Sequence, residues 1–262
     1  MRARLAEIPL LVVFVGATGV LMLVPSAKAF IDRDAAIGRA FFYSALICMV
    51  IAGFLAIALL GQKRAKRTDS LFPLLTAIYL LVPAVMALPL VESLPQMRFV
   101  DAWFEMISSF TTTGASLIDL PRRVPDAVHL WRGMAGWLGG LFILSAATAL
   151  LAPLRLGGFE LIHRDSAAVA RVGGTTQPPG VRLRAHARVI FPAYLGLTLA
   201  LWALLTFSGV PSFDALMQAM ATLSTSGILP REALGGVGLG AEALLFIFMI
   251  LALSRRFLPG HG

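Results

Sequence analysis

The segment Phe99–Ser116, FVDAWFEMISSFTTTGAS, decides the fold of this chain. Its first part, Phe99–Phe110, favours a helix of about 18 Å at about 1.5 Å per residue, a little over half of a ~30 Å hydrocarbon core. The run Thr111–Gly114 then supplies hydroxyls, carbonyls outside the helix and a flexible turn. Irregular backbone is tolerated at membrane depth only along a polar cavity. The segment therefore predicts a re-entrant pore loop between two membrane spans.

The composition indicates that lipid is the solvent of this protein. Of its 262 residues, 58% are hydrophobic and 14% are charged, with a mean hydropathy of +0.84. A soluble chain of this length could not bury so much apolar surface in its core. The net charge of +8 is better explained by positive-inside topology than by nucleic acid, because the basic residues fall between apolar spans. The single cysteine, Cys48, excludes a disulfide framework.

Six apolar segments are predicted to span the membrane. They are Ile8–Val24, Ala40–Leu60, Leu71–Val91, Val128–Leu151, Val189–Gly209 and a marginal Gly236–Leu253. The first is also compatible with a signal peptide, but it exceeds the usual apolar region of ~7–15 residues, so we expect it to be retained as a helix. Pro73, Pro83 and Pro89 predict kinks in the third span. Four glycines near the start of the fourth predict close helix packing rather than ligand contact.

The distribution of charge sets the expected orientation. With the N-terminus inside, 14 of the 22 Lys and Arg residues face inward, whereas 10 of the 14 Asp and Glu residues face outward. Lys and Arg bias determines the orientation of membrane spans. We therefore expect a cytoplasmic N-terminus and two pore loops that open to the outer face.

A second segment, Phe213–Ile228, repeats the first. Asp101 precedes Gly114 by 13 residues, and Asp214 precedes Gly227 by the same 13. Each aspartate is followed by alanine, and each glycine follows a run of hydroxyl side chains. One such segment is equally compatible with a Ser/Thr-rich turn between buried helices. Two in register favour a repeated unit of span, half-helix, filter and span, with a transport site at the interface of the repeats.

The repeated residues suit a cation site. Asp101 and Asp214 are expected at the N-cap or first turn of the short helices, where a carboxylate satisfies free amides and complements the positive helix end. The partially negative end then points to the membrane centre, where backbone carbonyls can replace the hydration shell of an ion. The glycines allow backbone angles that are closed to other residues. The residues assigned to this filter are Thr112, Thr113, Gly114, Thr225, Ser226 and Gly227.

The loop AWFEMISSFTTTGAS and the segment His129–Gly140, HLWRGMAGWLGG, resemble the Trk/Ktr/HKT superfamily of potassium transporters, and the TrkH-type pore subunits in particular. That family shows Trp-Arg and then Trp-x-Gly-Gly in the helix after its first filter. Leu156-Gly157-Gly158 matches the start of the following cytoplasmic loop, and the second loop resembles the second filter of the family. The similarity extends from about Leu10 to about Gly227.

The resemblance implies an all-α polytopic membrane protein with two N-terminal helices and two potassium-channel-like M1–P–M2 units. The expected partition is 1–68 for the leading helices, 69–155 for the first unit, 156–185 for a cytoplasmic linker and 186–262 for the second unit. The implied location is the bacterial cytoplasmic (inner) membrane. The implied activity is potassium transport, with no covalently bound cofactor and no enzymatic reaction. The implied partners are a second copy or a complementary half-pore chain, and a cytoplasmic nucleotide-binding regulatory subunit docked on inward loops such as Pro153–Arg188.

Three departures from the family pattern bear on function. The family has four filter units and this sequence contains two, although a filter needs carbonyls on all sides. Ser226 replaces the first of two glycines in the second filter, and in the first unit Phe142 replaces a glycine and Gly136 a glutamine. We therefore expect potassium uptake by half of a cation-conducting pore, with a non-conducting or regulatory truncated subunit as the alternative. A small-solute carrier is a third option, which hydroxyl-glycine loops suited to bare cations disfavour.

Two charged residues are candidates for supporting roles. Glu105 lies one turn after Asp101 and is expected either in the outer vestibule, attracting cations, or at the wet interface. Arg132 is expected to pair with a loop carboxylate such as Asp119. The four histidines are scattered without ligand spacing, which argues against a metal site other than potassium at the filter. The glycine-rich run Gly235–Gly240 follows no predicted strand and has no P-loop lysine, so a nucleotide-binding loop is excluded.

Overall fold

The computed structural model describes residues 10–59, 72–151, 179–230 and 238–253. Within these ranges the chain forms ten α-helices, a short 3₁₀ turn at Pro121–Arg123 and no strand. The helices are α1 (Leu10–Leu21), α2 (Leu23–Ile31), α3 (Ala35–Leu59), α4 (Phe72–Met86), α5 (Leu88–Ser93), α6 (Phe99–Phe110), α7 (Asp126–Leu151), α8 (Pro179–Phe207), α9 (Ser212–Ser224) and α10 (Leu239–Leu253). The expectation of an all-α protein is confirmed for these residues.

Four helical stretches of the described chain are long and apolar enough to cross a membrane. They are Leu10–Ile31, Ala35–Leu59, Phe72–Ser93 and Gly180–Phe207, and they correspond to the first, second, third and fifth predicted spans. The fourth predicted span is the 26-residue helix α7, which does not belong to this set and carries charged residues in its first two turns. The sixth is α10, which is apolar but only 15 residues long.

The third predicted span is interrupted at only one of its three prolines. Pro73 lies in the first turn of α4, where a proline ring fits, and Pro83 lies inside α4 without ending it. The break comes at Ala87, two residues before Pro89, and separates α4 from α5. The carbonyl of Met86 accepts a hydrogen bond of 2.9 Å from the indole N–H of Trp131 on α7, so the break leaves this carbonyl satisfied.

Helix α8 begins earlier than the sequence predicted. It starts at Pro179, ten residues before Val189 and inside the range 156–185 that was expected to be a linker. Proline is favoured at the first position of a helix because its missing N–H has no partner there anyway. Residues 152–178, which include most of that linker and Leu156-Gly157-Gly158, lie outside the described residues. The division into units therefore stays a prediction.

Helix α7 is the central element of the fold. It packs against both short helices, α6 and α9, and against α8 and α2. The leading helices α1 and α3 pack on each other and on α4 and α5, and Cys48 is buried among them. One apolar cluster joins α1–α7, and a second joins α8–α10 to the side of α7 that carries Trp137 and Leu141. The two short helices therefore meet on one long helix.

Candidate functional site

The two short helices end in the same backbone conformation. We call Thr111–Gly114 the first hinge and Ser224–Gly227 the second hinge. In the first, Thr112 and Gly114 have φ angles of +56° and +76°, and in the second, Thr225 and Gly227 have φ angles of +54° and +66°. A β-branched residue at positive φ is a genuine outlier. Such strain costs about 1–3 kcal/mol per residue and concentrates at functional sites.

The hydrogen bonds that close the two hinges are also equivalent. In each, the N–H of the left-handed threonine bonds to the carbonyl three residues back, and the next N–H bonds to the carbonyl five residues back. This is the Schellman motif, in which glycine usually occupies the left-handed position. The four bonds are Thr112 N to Ser109 O (3.0 Å), Thr113 N to Ser108 O (2.9 Å), Thr225 N to Thr222 O (3.2 Å) and Ser226 N to Ala221 O (3.0 Å).

Two hydroxyls of each hinge pair with each other. The hydroxyl oxygens of Thr111 and Thr113 lie 2.8 Å apart, and those of Ser224 and Ser226 lie 2.9 Å apart. Within the described ranges, no hydrogen bond is accepted by the carbonyl oxygens of Thr112 and Thr113, or by those of Thr225 and Ser226. The acceptors that the hinges offer to a ligand therefore include backbone carbonyls.

The two hinges touch each other. A Cβ atom built on Gly114 would lie 2.4 Å from the carbonyl oxygen of Ser226, so only glycine allows this approach. A Cβ atom on Gly136 of α7 would lie 3.0 Å from the Ser226 hydroxyl oxygen and 3.4 Å from the Ser109 carbonyl oxygen. Thr113, Thr225 and Gly227 are exposed next to this contact. The structure therefore brings all six predicted filter residues into two adjoining turns.

The glycines of α7 hold the ends of both short helices. A Cβ atom on Gly139 would lie 1.8 Å from the carbonyl oxygen of Phe110, the last residue of α6. A Cβ atom on Gly140 would lie 2.9 Å from the Cβ of Ser224, the last residue of α9, and 2.7 Å from the Tyr194 hydroxyl. The prediction that these glycines serve close packing is confirmed.

Glu105 and Arg132 form a buried ion pair, which makes both expected positions of Glu105 wrong. Their closest oxygen and nitrogen lie 2.8 Å apart, and their side chains are 0% and 4% exposed. The Ser116 hydroxyl donates to Glu105 Oε1 at 2.9 Å and accepts from Arg132 Nη2 at 2.8 Å, and the Leu117 N–H also donates to Glu105. Because a guanidinium inside an apolar helix needs a buried carboxylate, Arg132 pairs with Glu105 and not with the exposed Asp119. The network fixes the chain just after the first hinge.

Asp101 and Asp214 lie in the first turns of α6 and α9, as predicted, but neither is an N-cap residue. The N-cap residues are Arg98 and Pro211, and neither makes a side-chain capping bond. Asp101 accepts hydrogen bonds of 2.9 and 3.1 Å from the guanidinium of Arg98. The hydrogen bond from Arg98 lowers the pKa of Asp101. A carboxylate in the first turn still complements the positive end of the helix.

Several supporting residues were not predicted from the sequence. Ser108 donates its hydroxyl to the Ala115 carbonyl oxygen at 2.6 Å, which bridges the first hinge. The Tyr194 hydroxyl donates to the Trp137 carbonyl oxygen at 3.1 Å, and the Trp137 indole donates to the Thr198 hydroxyl at 2.9 Å, so α7 and α8 are joined twice. The sequence indicated these residues only weakly, because a hydroxyl in an apolar helix can equally well bond to the backbone of its own helix. Among the described side chains, no group of three or more His, Cys, Asp or Glu residues could hold a metal ion.

Comparison with known proteins shows what the chain is similar to. No protein-family model matches the sequence. It is 30% identical over 233 residues to the Trk system potassium uptake protein TrkH of Salmonella typhimurium, covering 88% of this chain and 47% of that protein. It is 30% identical over 203 residues to TrkI of Halomonas elongata, covering 72% and 39%. Its fold matches the crystal structure of the potassium transporter TrkH from Vibrio parahaemolyticus with a TM-score of 0.75 at 24% identity, over 96% of this chain and 50% of that one. The chain thus spans about half the length of the curated relatives it matches.

Proposed function

The chain belongs to the TrkH-type family of potassium uptake proteins, and from this premise we propose that it supplies two filter segments of a potassium-conducting pore. The observation that carries the proposal is the pair of hinges. They have the same left-handed residues, the same closing hydrogen bonds and a direct contact at Gly114 and Ser226. Packing of two unrelated turns would not require the same strained conformation twice.

The proposed filter uses the backbone of the hinges. The carbonyls of Thr112, Thr113 and Gly114 form one side, and those of Thr225, Ser226 and Gly227 form the next. Potassium enters such a site by exchanging its water shell for carbonyl oxygens. The helices α6 and α9 both end at the hinges, so the partial negative charge of their carboxyl ends favours a cation there. Asp101 and Asp214 act at the opposite, positive ends.

In this proposal the fold contains two M1–P–M2 units. The first consists of α4 and α5, then α6, then α7, and the second consists of α8, α9 and α10, after the leading helices α1–α3. The division is 1–68, 69–155, 156–185 and 186–262, with the helical start of α8 falling inside the third range. The proposed orientation has a cytoplasmic N-terminus in the bacterial inner membrane, supported by the bias of Lys and Arg residues.

The two filter units of these 262 residues supply part of a closed ring of carbonyls. A second copy of this chain, or a separate chain with further filter units, completes it in our proposal, because the relatives are about twice as long as the matched region. A cytoplasmic nucleotide-binding subunit that docks on the inward loops is a further proposed partner. The competing function is a non-conducting or regulatory subunit, which would contain the same two hinges without taking up potassium.

The decisive experiment is rescue of a potassium-uptake-deficient bacterium at low external potassium. The chain is expressed alone and together with a chain that carries two further filter units. Growth and ⁸⁶Rb⁺ uptake in either case support the proposal. Absence of uptake in both cases, with the protein present in the membrane, would contradict the proposed pore and favour a non-conducting subunit.

A glycine pair makes the test specific for the hinge. Gly227 and Gly209 have φ angles of +66° and +92°, and a Cβ atom on either meets nothing within 4 Å. Alanine therefore costs about 1–2 kcal/mol of left-handed strain at Gly227 and no less at Gly209, whose φ lies further from the left-handed region. The variants are compared in whichever cells take up ⁸⁶Rb⁺, those with this chain alone or those with both chains. We expect Gly227→Ala to lower the rate of ⁸⁶Rb⁺ uptake at least tenfold and Gly209→Ala to leave it near that of the wild type. Equal rates for the two variants would contradict the filter role of Gly227.

A further inference from the structure

A partly enclosed apolar cavity of about 140 Å³ lies behind the first hinge. Its walls come from α1, α7 and the first turns of α8, and Met86 and Phe110 close one side. Phe110 is the last helical residue before Thr111, and its carbonyl rests against Gly139. A group bound in the cavity therefore contacts the end of α6, the helix that leads into the first hinge.

Aromatic rings form the part of the wall nearest the hinge. The ring of Phe142 lies 5.3 Å from that of Phe14, 5.1 Å from that of Tyr79 and 5.6 Å from that of Phe110, measured between centroids. The rings hold Phe110 from one side and leave the neighbouring volume open. An apolar cavity of about 150 Å³ stays dry and binds a benzene-sized group. The occupant of this cavity is therefore apolar.

The cavity is accessible from the surface of α1. Ala17 belongs to the lining and is exposed, whereas its neighbour Thr18 is 2% exposed. Both lie in the membrane-length stretch Leu10–Ile31, of whose most apolar window only 39% is buried inside the structure. In the proposed membrane location, the groups that meet Ala17 are lipid acyl chains.

The wall formed by α8 carries arginine side chains. Arg184 is the one charged residue among the described residues that line the cavity, and Arg182 and Arg188 lie within one turn of it on α8. Basic pockets between membrane helices on the cytoplasmic side bind anionic lipid headgroups. In the proposed orientation, the start of α8 lies on that side.

We propose that this cavity binds part of an acyl chain of an anionic phospholipid of the inner leaflet, with the phosphate near Arg184. The bound chain packs against Phe110, the last helical residue before the first hinge. This inference rests on the membrane orientation in the proposed function, but it does not depend on whether the chain conducts potassium.

Three alanine-to-leucine variants test the proposal. Ala187→Leu fills the cavity from α8 and Ala17→Leu fills it from α1. The matched control is Ala203→Leu, an exposed position on α8 outside the lining. The full chain is purified in detergent with palmitoyl-oleoyl phosphatidylglycerol, and retained lipid is counted by native mass spectrometry. We expect the wild type and Ala203→Leu to retain about one phospholipid more per chain than either cavity-filling variant.

The outcomes separate the parts of the proposal. Equal lipid retention in the wild type and both cavity-filling variants would overturn it, and the two helices provide independent variants if one fails to fold. Phosphatidylcholine with the same acyl chains should be retained at least threefold less than phosphatidylglycerol, and equal retention would overturn the headgroup assignment. Since neither measurement depends on ion flux, a negative result here is distinct from a failed uptake assay.

Discussion

Replacing Arg132 with methionine is expected to destabilise the protein strongly. The guanidinium lies 2.8 Å from the Glu105 carboxylate, and the two side chains are 4% and 0% exposed, so little water is available to take its place. Removing one partner of a buried ion pair costs about 3–5 kcal/mol, because the remaining charge is left uncompensated. Arg132→Met also removes the 2.8 Å bond to the hydroxyl of Ser116.

Thermal unfolding of the purified chain in detergent measures this effect, and two further variants isolate its cause. Arg98→Met removes a guanidinium from the ion pair of Arg98 with Asp101. The side chains of this pair are 83% and 26% exposed, so the midpoint temperature of unfolding should change little. The double variant Glu105→Leu/Arg132→Met removes both buried charges and should recover much of the stability lost in Arg132→Met.

Two results would refute this reasoning. If Arg132→Met unfolds at the same temperature as Arg98→Met, the guanidinium of Arg132 does not compensate a buried charge. If the double variant is less stable than Arg132→Met, the loss comes from packing of the arginine stem and not from the unpaired carboxylate. The first result would also show that the network of Glu105, Ser116 and Arg132 does not fix the chain after the first hinge.

Three further substitutions test the packing and the strain of the site, each by thermal unfolding in detergent. Gly139→Ala should destabilise by several kcal/mol because its Cβ would lie 1.8 Å from the Phe110 carbonyl oxygen. Gly196→Ala, in α8 with nothing within 4 Å, should be neutral or stabilising by up to about 1 kcal/mol; a similar loss in both variants would show that the Phe110 contact is not the cause. Thr225→Gly should relieve left-handed strain and raise the midpoint. Thr222→Gly, inside α9, should destabilise the protein by roughly 0.3 kcal/mol from helix propensity and so lower the midpoint, and a fall in both would contradict the assignment of strain to Thr225.

Much of the candidate site was predictable from the sequence because it depends on local chemistry. A hydroxyl run that ends in glycine after a short amphipathic segment favours the end of a helix, and the 13-residue spacing between Asp101 and Gly114 recurs at Asp214 and Gly227. The role of the α7 glycines was also readable, since small residues in a membrane helix mark close approach. These patterns predict the position of a turn, and a turn depends only on a few neighbouring residues.

The partners of charged and aromatic side chains were not predictable in the same way. Glu105 and Arg132 are 27 positions apart in the sequence, and only the packing of α6 on α7 brings their side chains together. Asp119 is nearer to Arg132 along the chain, but it is exposed and so gives an arginine inside the fold no compensation. The start of α8 at Pro179 was missed for a related reason, because the arginines of its first turns resemble a loop in composition.

The strain in the two hinges is best explained as a property of the hinge conformation itself. Among the described residues, three non-glycine residues have positive φ, and two of them, Thr112 and Thr225, occupy the same position of the repeat. Their surroundings differ, since Gly114 is closely packed against the carbonyl of Ser226 whereas a Cβ on Gly227 would meet open space. If neighbouring side chains imposed the conformation, different neighbours would have produced different turns. The shared element is the path of the backbone at the end of each short helix, where a carbonyl-lined cation site would take its oxygens.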